Sequence, residues 1–293
     1  MSILLQALIF GVLVGGVYAL MATGLTLVFG VMKIVNMAHS AFLILSAYLT
    51  YTLWQEFGID PLVGAFICAP ILGVIGAVLY KLIIERSQRI DHGLALVATF
   101  ALALITEAVI ALIWGPQPRA TTPAYFNDAI HLGAVTIPLA QLYACLLALG
   151  ITVGLTVLLR RTWLGHAISA ASENPEGARL VGIEAGRVGM WIFALSLATT
   201  AFGGAALGFL YQFVPDSQDS WIGLTMSVVI LGGLGSIPGA IAGGVVLGVA
   251  EALTTTFVSP QLGTAVPLVL IIVVLAVRPN GLFSLRSRQD VGT

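Results

Sequence analysis

GGLGSIPG, residues 232–239, interrupts an apolar segment that extends over residues 222–257. The segment has 36 residues, whereas one helical crossing of a bilayer needs about 20. Glycine is flexible and proline lacks a backbone donor, so the interruption disfavours one continuous helix. The segment therefore predicts two membrane helices that meet at the GGLGSIPG break.

The rest of the chain has the same apolar character. Of its 293 residues, 59% are hydrophobic and only 9% are charged. Apolar segments of this length are typical of membrane-spanning helices. The segments occupy residues 3–32, 37–54, 61–84, 93–114, 135–159, 190–211, 222–257 and 263–279. We predict an all-α polytopic membrane helix bundle with eight or nine crossings and interrupted helices, in which residues 1–293 form a single transmembrane domain.

Lysine and arginine are distributed unevenly among the loops. If the loop at 160–189 is cytoplasmic and the loops alternate in side, only Arg119 among the 12 basic residues lies outside. This bias follows the positive-inside rule. It requires that residues 222–257 cross the membrane twice, and it predicts a cytoplasmic C-terminus. The side of the N-terminus rests on the parity of the crossings alone.

The sequence lacks the motifs of several enzyme and metal-site classes. It contains no Walker A, HExxH, CxxC or GxSxG sequence. Its four histidines are scattered without the spacing of metal ligands. We expect no catalytic residue, metal or cofactor in this chain, and no nucleic-acid partner. Energy for any transport would come from another chain or from an ion gradient.

A polar cluster separates two apolar runs in VFGVMKIVNMAHSAFLILSAY, residues 28–48. Asn36 is expected to act as the N-cap of a helix that begins near Met37. If the break lies at membrane depth, the N–H groups of a half-helix face a cavity beside His39 and Ser40. Such termini bind anionic substrate groups in many transporters. The alternative is an ordinary cytoplasmic turn.

GGLGSIPGAIAGG, residues 232–244, repeats this interrupted pattern. Paired interruptions in two halves of a chain are typical of transporters built from repeats. The alternative is a tight cytoplasmic hairpin whose glycines serve packing, since glycines four residues apart allow close helix contact. The residues assigned to the break and to packing are Gly232, Gly233, Gly235, Ser236, Pro238, Gly239 and Gly243.

Two carboxylates lie within apolar segments, where charge is costly and functional roles are common. Glu107 either lines a substrate pathway or bonds a neighbouring helix. Glu251 either contacts substrate or makes a structural hydrogen bond. Together with Asn36, His39 and Ser40, they form the predicted substrate pathway.

SENPEGARLVGI, residues 172–183, predicts a short, capped, polar helix in the longest charged loop. Asn174 is a favourable N-cap, and Pro175 suits the first helical position. Gly182 can close the helix in a left-handed conformation. A small polar helix in so apolar a chain indicates a contact outside the membrane.

The spacing Glu176-Gly177-Ala178-x3-Gly182 resembles the E-A-A-x3-G motif of importer permeases of the ATP-binding cassette class. In that class a short cytoplasmic coupling helix docks on the ATPase subunit. Ala178 and Gly182 are expected to form one small exposed face, with Arg179 and Glu176 making contacts at its rim. The alternative is a solvated loop with an incidental helix.

Other stretches resemble the LivH-type permeases of the branched-chain amino acid importers. They are GLTLVFGVMKIVNMAHSAFLILSAY (24–48), ENPEGARLVGI (173–183), VVILGGLGSIPGAIAGGVVLGVAEAL (228–253) and VRPNGLF (277–283). They follow the order of that family's signatures and cover nearly the whole chain. Ser40 departs from the pattern, because many relatives have glycine there.

The resemblance implies a location in the bacterial inner membrane and an alternating-access cycle driven by ATP. It implies a second, LivM-like permease subunit, two ATP-binding subunits that hold ATP and Mg, and a periplasmic binding protein. The binding protein is expected to dock outside, on residues 115–134 and 212–221.

Several functions remain open on the residues. The first is import of hydrophobic, branched-chain amino acids; the second is the same machine carrying urea, short amides or aromatic carboxylates. The third is an ion-coupled secondary transporter that uses Glu107 or Glu251, and the fourth is an intramembrane enzyme. We adopt the first, which makes the chain a transport subunit and not an enzyme.

Overall fold

The computed structural model describes residues 2–133, 135–278 and 281. The first half of the chain folds into α1 (Ser2–Met32), α2 (Ala38–Phe57), α3 (Pro61–Leu79), α4 (Glu85–Ile90) and α5 (His92–Trp114). A π-helical turn at Tyr80–Ile84 joins α3 to α4, so the chain is helical from Pro61 to Ile90.

A connection that contains two short strands follows α5. It contains a 3-10 turn at Ala124–Asn127 and the antiparallel strands β1 (Ala129–Leu132) and β2 (Val135–Pro138), with Ile130 paired to Ile137. The sequence-based expectation of a helix from residue 135 is therefore wrong for its first four residues. Their β-branched side chains favour a strand, and Pro138 then precedes the helix.

The described part of the second half of the chain consists of helices, short connections and a 3-10 turn at Pro215–Ser217. Its helices are α6 (Leu139–Arg161), α7 (Trp163–Glu173), α8 (Pro175–Leu180), α9 (Ala185–Leu210), α10 (Gln218–Gly232), α11 (Ile237–Phe257), α12 (Pro260–Gly263) and α13 (Val266–Val277). The predicted division of residues 222–257 into two helices is confirmed, with the break at 233–236.

Among the described residues, six helical segments are long and apolar enough to cross a membrane, and α13 is apolar but shorter. The six are Ile3–Met32, Pro61–Ile90, Gly93–Trp114, Leu139–Arg161, Ala185–Leu210 and Ile237–Phe257. The chain is therefore an α-helical, multi-pass membrane bundle. Helix α2 has sufficient length but carries buried polar residues, which lower its hydropathy.

Helix α9 lies at the centre of the bundle, with 89% of its most apolar window buried. It packs against α1, α2 and α3. A Cβ at Gly76 of α3 would lie only 3.1 Å from the Cα of Ala194, so the backbones of α3 and α9 approach closely. Small residues allow this approach where lipid provides no hydrophobic driving force between helices.

Candidate functional site

The break between α1 and α2 is held by a residue of a third helix. Lys33, directly after α1, has a positive φ of 52°. Thr99 of α5 then provides an acceptor for a backbone N–H at the start of α2. The backbone N–H of Met37 donates to Thr99 Oγ at 3.2 Å, and the Thr99 hydroxyl donates to the Leu96 carbonyl at 2.9 Å. Thr99 therefore supplies the acceptor expected from an N-cap.

The prediction that Asn36 caps α2 with its side chain is wrong. Its Oδ1 and Nδ2 atoms are buried, and neither has a hydrogen-bond partner among the described residues. Asn36 contributes its backbone oxygen instead, which accepts from the N–H of His39 at 3.2 Å. The sequence alone does not indicate the contact between Thr99 and Met37, because these residues are 62 positions apart in the chain.

His39 connects the start of α2 to α1. Its Nε2 lies 2.7 Å from the carbonyl oxygen of Met21, so Nε2 carries a proton and donates. A Cβ at Gly24 would lie 2.7 Å from both His39 Cε1 and the Ser196 carbonyl, which shows how tightly α1, α2 and α9 meet. His39 and Ser40 are almost fully buried, so in this conformation they do not face an open cavity.

Glu107 bonds a neighbouring helix. Nε2 of Gln218, at the start of α10, donates to Glu107 Oε2 in the C-terminal half of α5. Gln218 is itself buried, and this contact joins two helices that are far apart in the sequence. The geometry matches the second of the two interpretations of Glu107.

Glu251 lines a cavity of about 420 Å³ between α1, α10, α11 and α13. Its Oε2 atom is buried and has no hydrogen-bond partner in the part of the chain that the structure describes. Three aromatic side chains share the wall, Tyr18, Tyr211 and Trp221. Sequence reasoning identified Glu251 but none of these rings, because they belong to three separate segments.

Helix α8 is capped at both ends. Oδ1 of Asn174 accepts the Gly177 N–H at 2.9 Å, and Pro175 occupies the first turn. At the other end Gly182 has φ of 83°. Its N–H bonds the Arg179 carbonyl at 3.1 Å, and the next N–H bonds the Ala178 carbonyl at 3.0 Å. These two bonds form a Schellman motif.

The expectation that Ala178 and Gly182 share one exposed face is wrong for Ala178, whereas Gly182 is exposed. Ala178 is only 5% exposed and packs against the body of the protein, because it lies on the inner side of this short helix. The outward side carries Leu180, 89% exposed, and Val181, 75% exposed. In the sequence, Leu180 and Val181 are two apolar residues within a charged loop. This pattern could have predicted an apolar contact surface there, but the comparison with the small-residue motif favoured Ala178 and Gly182 instead.

The break at 232–239 brings several backbones together. Ser236 Oγ accepts the Gly239 N–H at 3.1 Å and so begins α11, and Pro238 lies in the first turn. Gly233 and Gly235 have positive φ angles of 92° and 85°. Only glycine adopts such angles without strain.

Glycines on either side of the break form its contacts. Gly232 contacts Gly239, and a Cβ at Gly243 would lie 2.7 Å from the Val228 carbonyl. This pairing makes α10 and α11 antiparallel neighbours. From the far end of the chain, Gly281 packs against the backbone of Gly233; residues 279, 280, 282 and 283 of the VRPNGLF signature lie outside the described residues.

Comparisons with known proteins cover nearly the whole chain. Residues 7–275 match the family described as branched-chain amino acid transport system / permease component. The high-affinity branched-chain amino acid transport system permease protein LivH of Salmonella typhimurium is 30% identical, over 95% of this chain and 94% of its own. Pseudomonas aeruginosa BraD, which carries the same description, is 28% identical over 95% of both chains.

A more distant organism has a similar protein. The probable branched-chain amino acid transport permease protein LivH of Methanocaldococcus jannaschii is 30% identical, over 90% of this chain and 87% of its own. No solved structure matches the chain significantly. The extent of the family match and the multi-pass helical bundle agree, and the chain therefore belongs to the permease-component family of branched-chain amino acid transport systems.

Proposed function

We propose that this chain is a membrane-spanning permease subunit of an ATP-driven importer, and that it translocates branched-chain amino acids by alternating access. The observation that carries the proposal is helix α8 in a chain of this family. The helix is capped at both ends and presents Leu180 and Val181 outward. An apolar, rigid projection of this kind is suited to a protein contact.

The proposed topology has nine crossings, with α2, α10 and α13 added to the six long segments. The antiparallel packing of α10 and α11 supports this topology, because the chain reverses direction at the glycine break between them. Helix α10 has 15 residues, about 22 Å of helix, which is shorter than the hydrocarbon core of about 30 Å. The residues that flank α10 would complete this crossing. The whole chain would form one transmembrane domain in the bacterial inner membrane.

Contacts at the two faces support an outer N-terminus and a cytoplasmic C-terminus. The Gln6 side chain of α1 donates to the Thr136 carbonyl at 2.6 Å and accepts the Thr136 N–H at 2.9 Å. The N-terminal end of α1 thus lies beside the β-hairpin, which follows α5. The basic loop that contains α8 follows the next helix and lies at the opposite end of the bundle.

The proposed partners are a LivM-like permease, two ATP-binding subunits with ATP and Mg, and a periplasmic binding protein. Leu180, Val181, Glu176 and Arg179 would contact an ATP-binding subunit. On the outer face, the backbone N–H of Arg119 donates to the Phe213 carbonyl at 2.9 Å, and the backbone N–H of Phe213 donates to the Arg119 carbonyl at 2.9 Å. This bridge joins residues 115–134 to 212–221, which supports one common docking surface for the binding protein.

The test is reconstitution of the chain with a LivM-like permease, ATP-binding subunits and a periplasmic binding protein. We expect uptake of radiolabelled leucine into proteoliposomes that depends on ATP and on the binding protein. We also expect the ATP-binding subunits to copurify with the chain. Uptake that persists without ATP and stops when a proton gradient collapses would instead establish an ion-coupled transporter. Urea, an amide and benzoate in the same assay test the other cargoes.

A further inference from the structure

The cavity that contains Glu251 has a wall of three aromatic rings. The ring centroids of Tyr211 and Trp221 are 5.2 Å apart, those of Tyr18 and Trp221 are 6.4 Å apart, and both pairs are edge-to-face. The hydroxyls of Tyr18 and Tyr211 lie 3.1 Å from each other. The rings therefore support one another, and their two hydroxyl oxygens are held at one place.

The polar groups of this cavity match a cation. Glu251 provides a buried oxygen that has no hydrogen-bond partner among the described residues. Asp219 lies exposed on the same wall, and no lysine or arginine of the described chain lines the cavity with it. A carboxylate in a low-dielectric region favours a positive partner, and aromatic faces attract cations.

The number of acceptors matches a primary ammonium group in particular. An ammonium nitrogen has three N–H donors and no acceptor. The carboxylate oxygens of Glu251 and the hydroxyl oxygens of Tyr18 and Tyr211 can accept three such bonds. Leu224, Pro267 and Leu268 line the rest of the cavity, so an aliphatic group attached to the ammonium would meet apolar surface.

We propose that this cavity, defined by Tyr18, Tyr211, Trp221 and Glu251, is a binding site for the ammonium end of an aliphatic amine or amino acid on the translocation route. The identification of that ligand as cargo rests on the proposed import function. Binding there selects for a cation, and the site therefore disfavours a ligand that carries only a carboxylate. Aromatic carboxylates fit this cavity poorly for the same reason.

Saturation-transfer NMR on the reconstituted importer in nanodiscs, without ATP, tests the proposal because it detects weak ligands. Three probes share the leucine skeleton: leucine, 3-methylbutylamine, which lacks the carboxylate, and 4-methylpentanoate, which lacks the amine. We expect the amine and leucine to bind at this cavity, and 4-methylpentanoate to bind at least tenfold more weakly than the amine. Equal binding of the amine and 4-methylpentanoate overturns the proposal.

Variants assign the binding to the cavity. Glu251→Gln should weaken binding of 3-methylbutylamine at least tenfold, and Trp221→Leu several-fold. Glu56→Gln removes the same charge from an exposed position at the end of α2 and should leave binding unchanged. If Glu251→Gln does not fold, Asp219→Asn at the rim provides the second measurement, with a smaller loss expected. Unchanged amine binding in the folded Glu251 and Trp221 variants overturns the site.

The two proposals fail in different ways. Amine-selective binding that depends on Glu251 supports the site even if uptake proves independent of ATP, which would defeat only the import function. If the complex takes up leucine with ATP but shows no selectivity for the amine, the import function is supported and the proposed ammonium site is overturned.

Discussion

Gly15 of α1 and Gly244 of α11 are in mutual backbone contact: a Cβ on either residue would lie 2.6 Å from the carbonyl oxygen of the other. One turn along, Gly11 and Gly248 repeat the contact. The numbers rise on α1 as they fall on α11, so these helices are antiparallel. Between helices in lipid there is no hydrophobic driving force. The small residues at this α1–α11 contact stabilise the pair by allowing close van der Waals packing.

Gly244→Leu should destabilise the protein strongly, because the added side chain must separate α1 from α11. Overpacking of a tight interior typically costs about 1–3 kcal/mol. Thermal unfolding in detergent, followed by loss of monodisperse protein, measures the change. Gly150→Leu is the matched control, since a Cβ there meets open space and a leucine favours the helix. Equal stability of the two variants would contradict the proposed contribution of the α1–α11 glycine contact to stability.

Thr99→Val should destabilise the start of α2, because valine has the shape of threonine but leaves the Met37 N–H without its acceptor. An unpaired buried donor costs about 1–3 kcal/mol. Hydrogen exchange at residues 35–40 measures the local opening, and leucine uptake measures the effect on transport. Thr99→Ser keeps the hydroxyl and should restore protection. If serine and valine behave alike, the hydroxyl has no role at this break.

Gly182→Val should weaken coupling, because valine at φ of 83° is strained and disturbs the Schellman end of α8. Gly182→Asn is the control, since asparagine tolerates the left-handed region. We expect the valine variant to insert normally but to hydrolyse ATP without matching uptake, and the asparagine variant to stay coupled. Coupled transport by the valine variant would remove the requirement for a rigid helix end.

Leu180→Asp should reduce copurification of the ATP-binding subunits, because it places a charge on the exposed apolar side of α8. Leu180→Met retains an apolar surface of similar size and should bind normally. Pull-down of the tagged permease, with the ATPase quantified by blotting, gives the ratio. A normal ratio for the aspartate variant would show that the subunits meet elsewhere.

Glu107 and Gln218 should show coupled energetics in a double-mutant cycle. Glu107→Ala and Gln218→Ala each break one contact between α5 and α10. The double variant should lose less than the sum, with a coupling of about 0.5–3 kcal/mol. Thermal stability of the four proteins in detergent gives this term. Additive losses would show that the contact contributes no net stability.

Local features were predictable from the sequence. The length of the apolar segments predicted the long membrane helices. The GGLGSIPG sequence predicted the division between α10 and α11. The bounds of α8 were predicted from Asn174, Pro175 and Gly182. Each depends on residues within a few positions of one another, because capping, glycine flexibility and helix length are properties of neighbouring residues. The family signatures extended this local information to the whole chain.

Contacts between distant segments were not predictable in the same way. The sequence by itself determined a helical membrane permease with a short capped helix in its longest charged loop. Only the tertiary structure decided that Thr99 replaces the Asn36 side chain, that Ala178 faces inward, and that Tyr18, Trp221 and Glu251 share a cavity. These groups come from segments up to about 230 residues apart, and their positions depend on how close the helix backbones can approach.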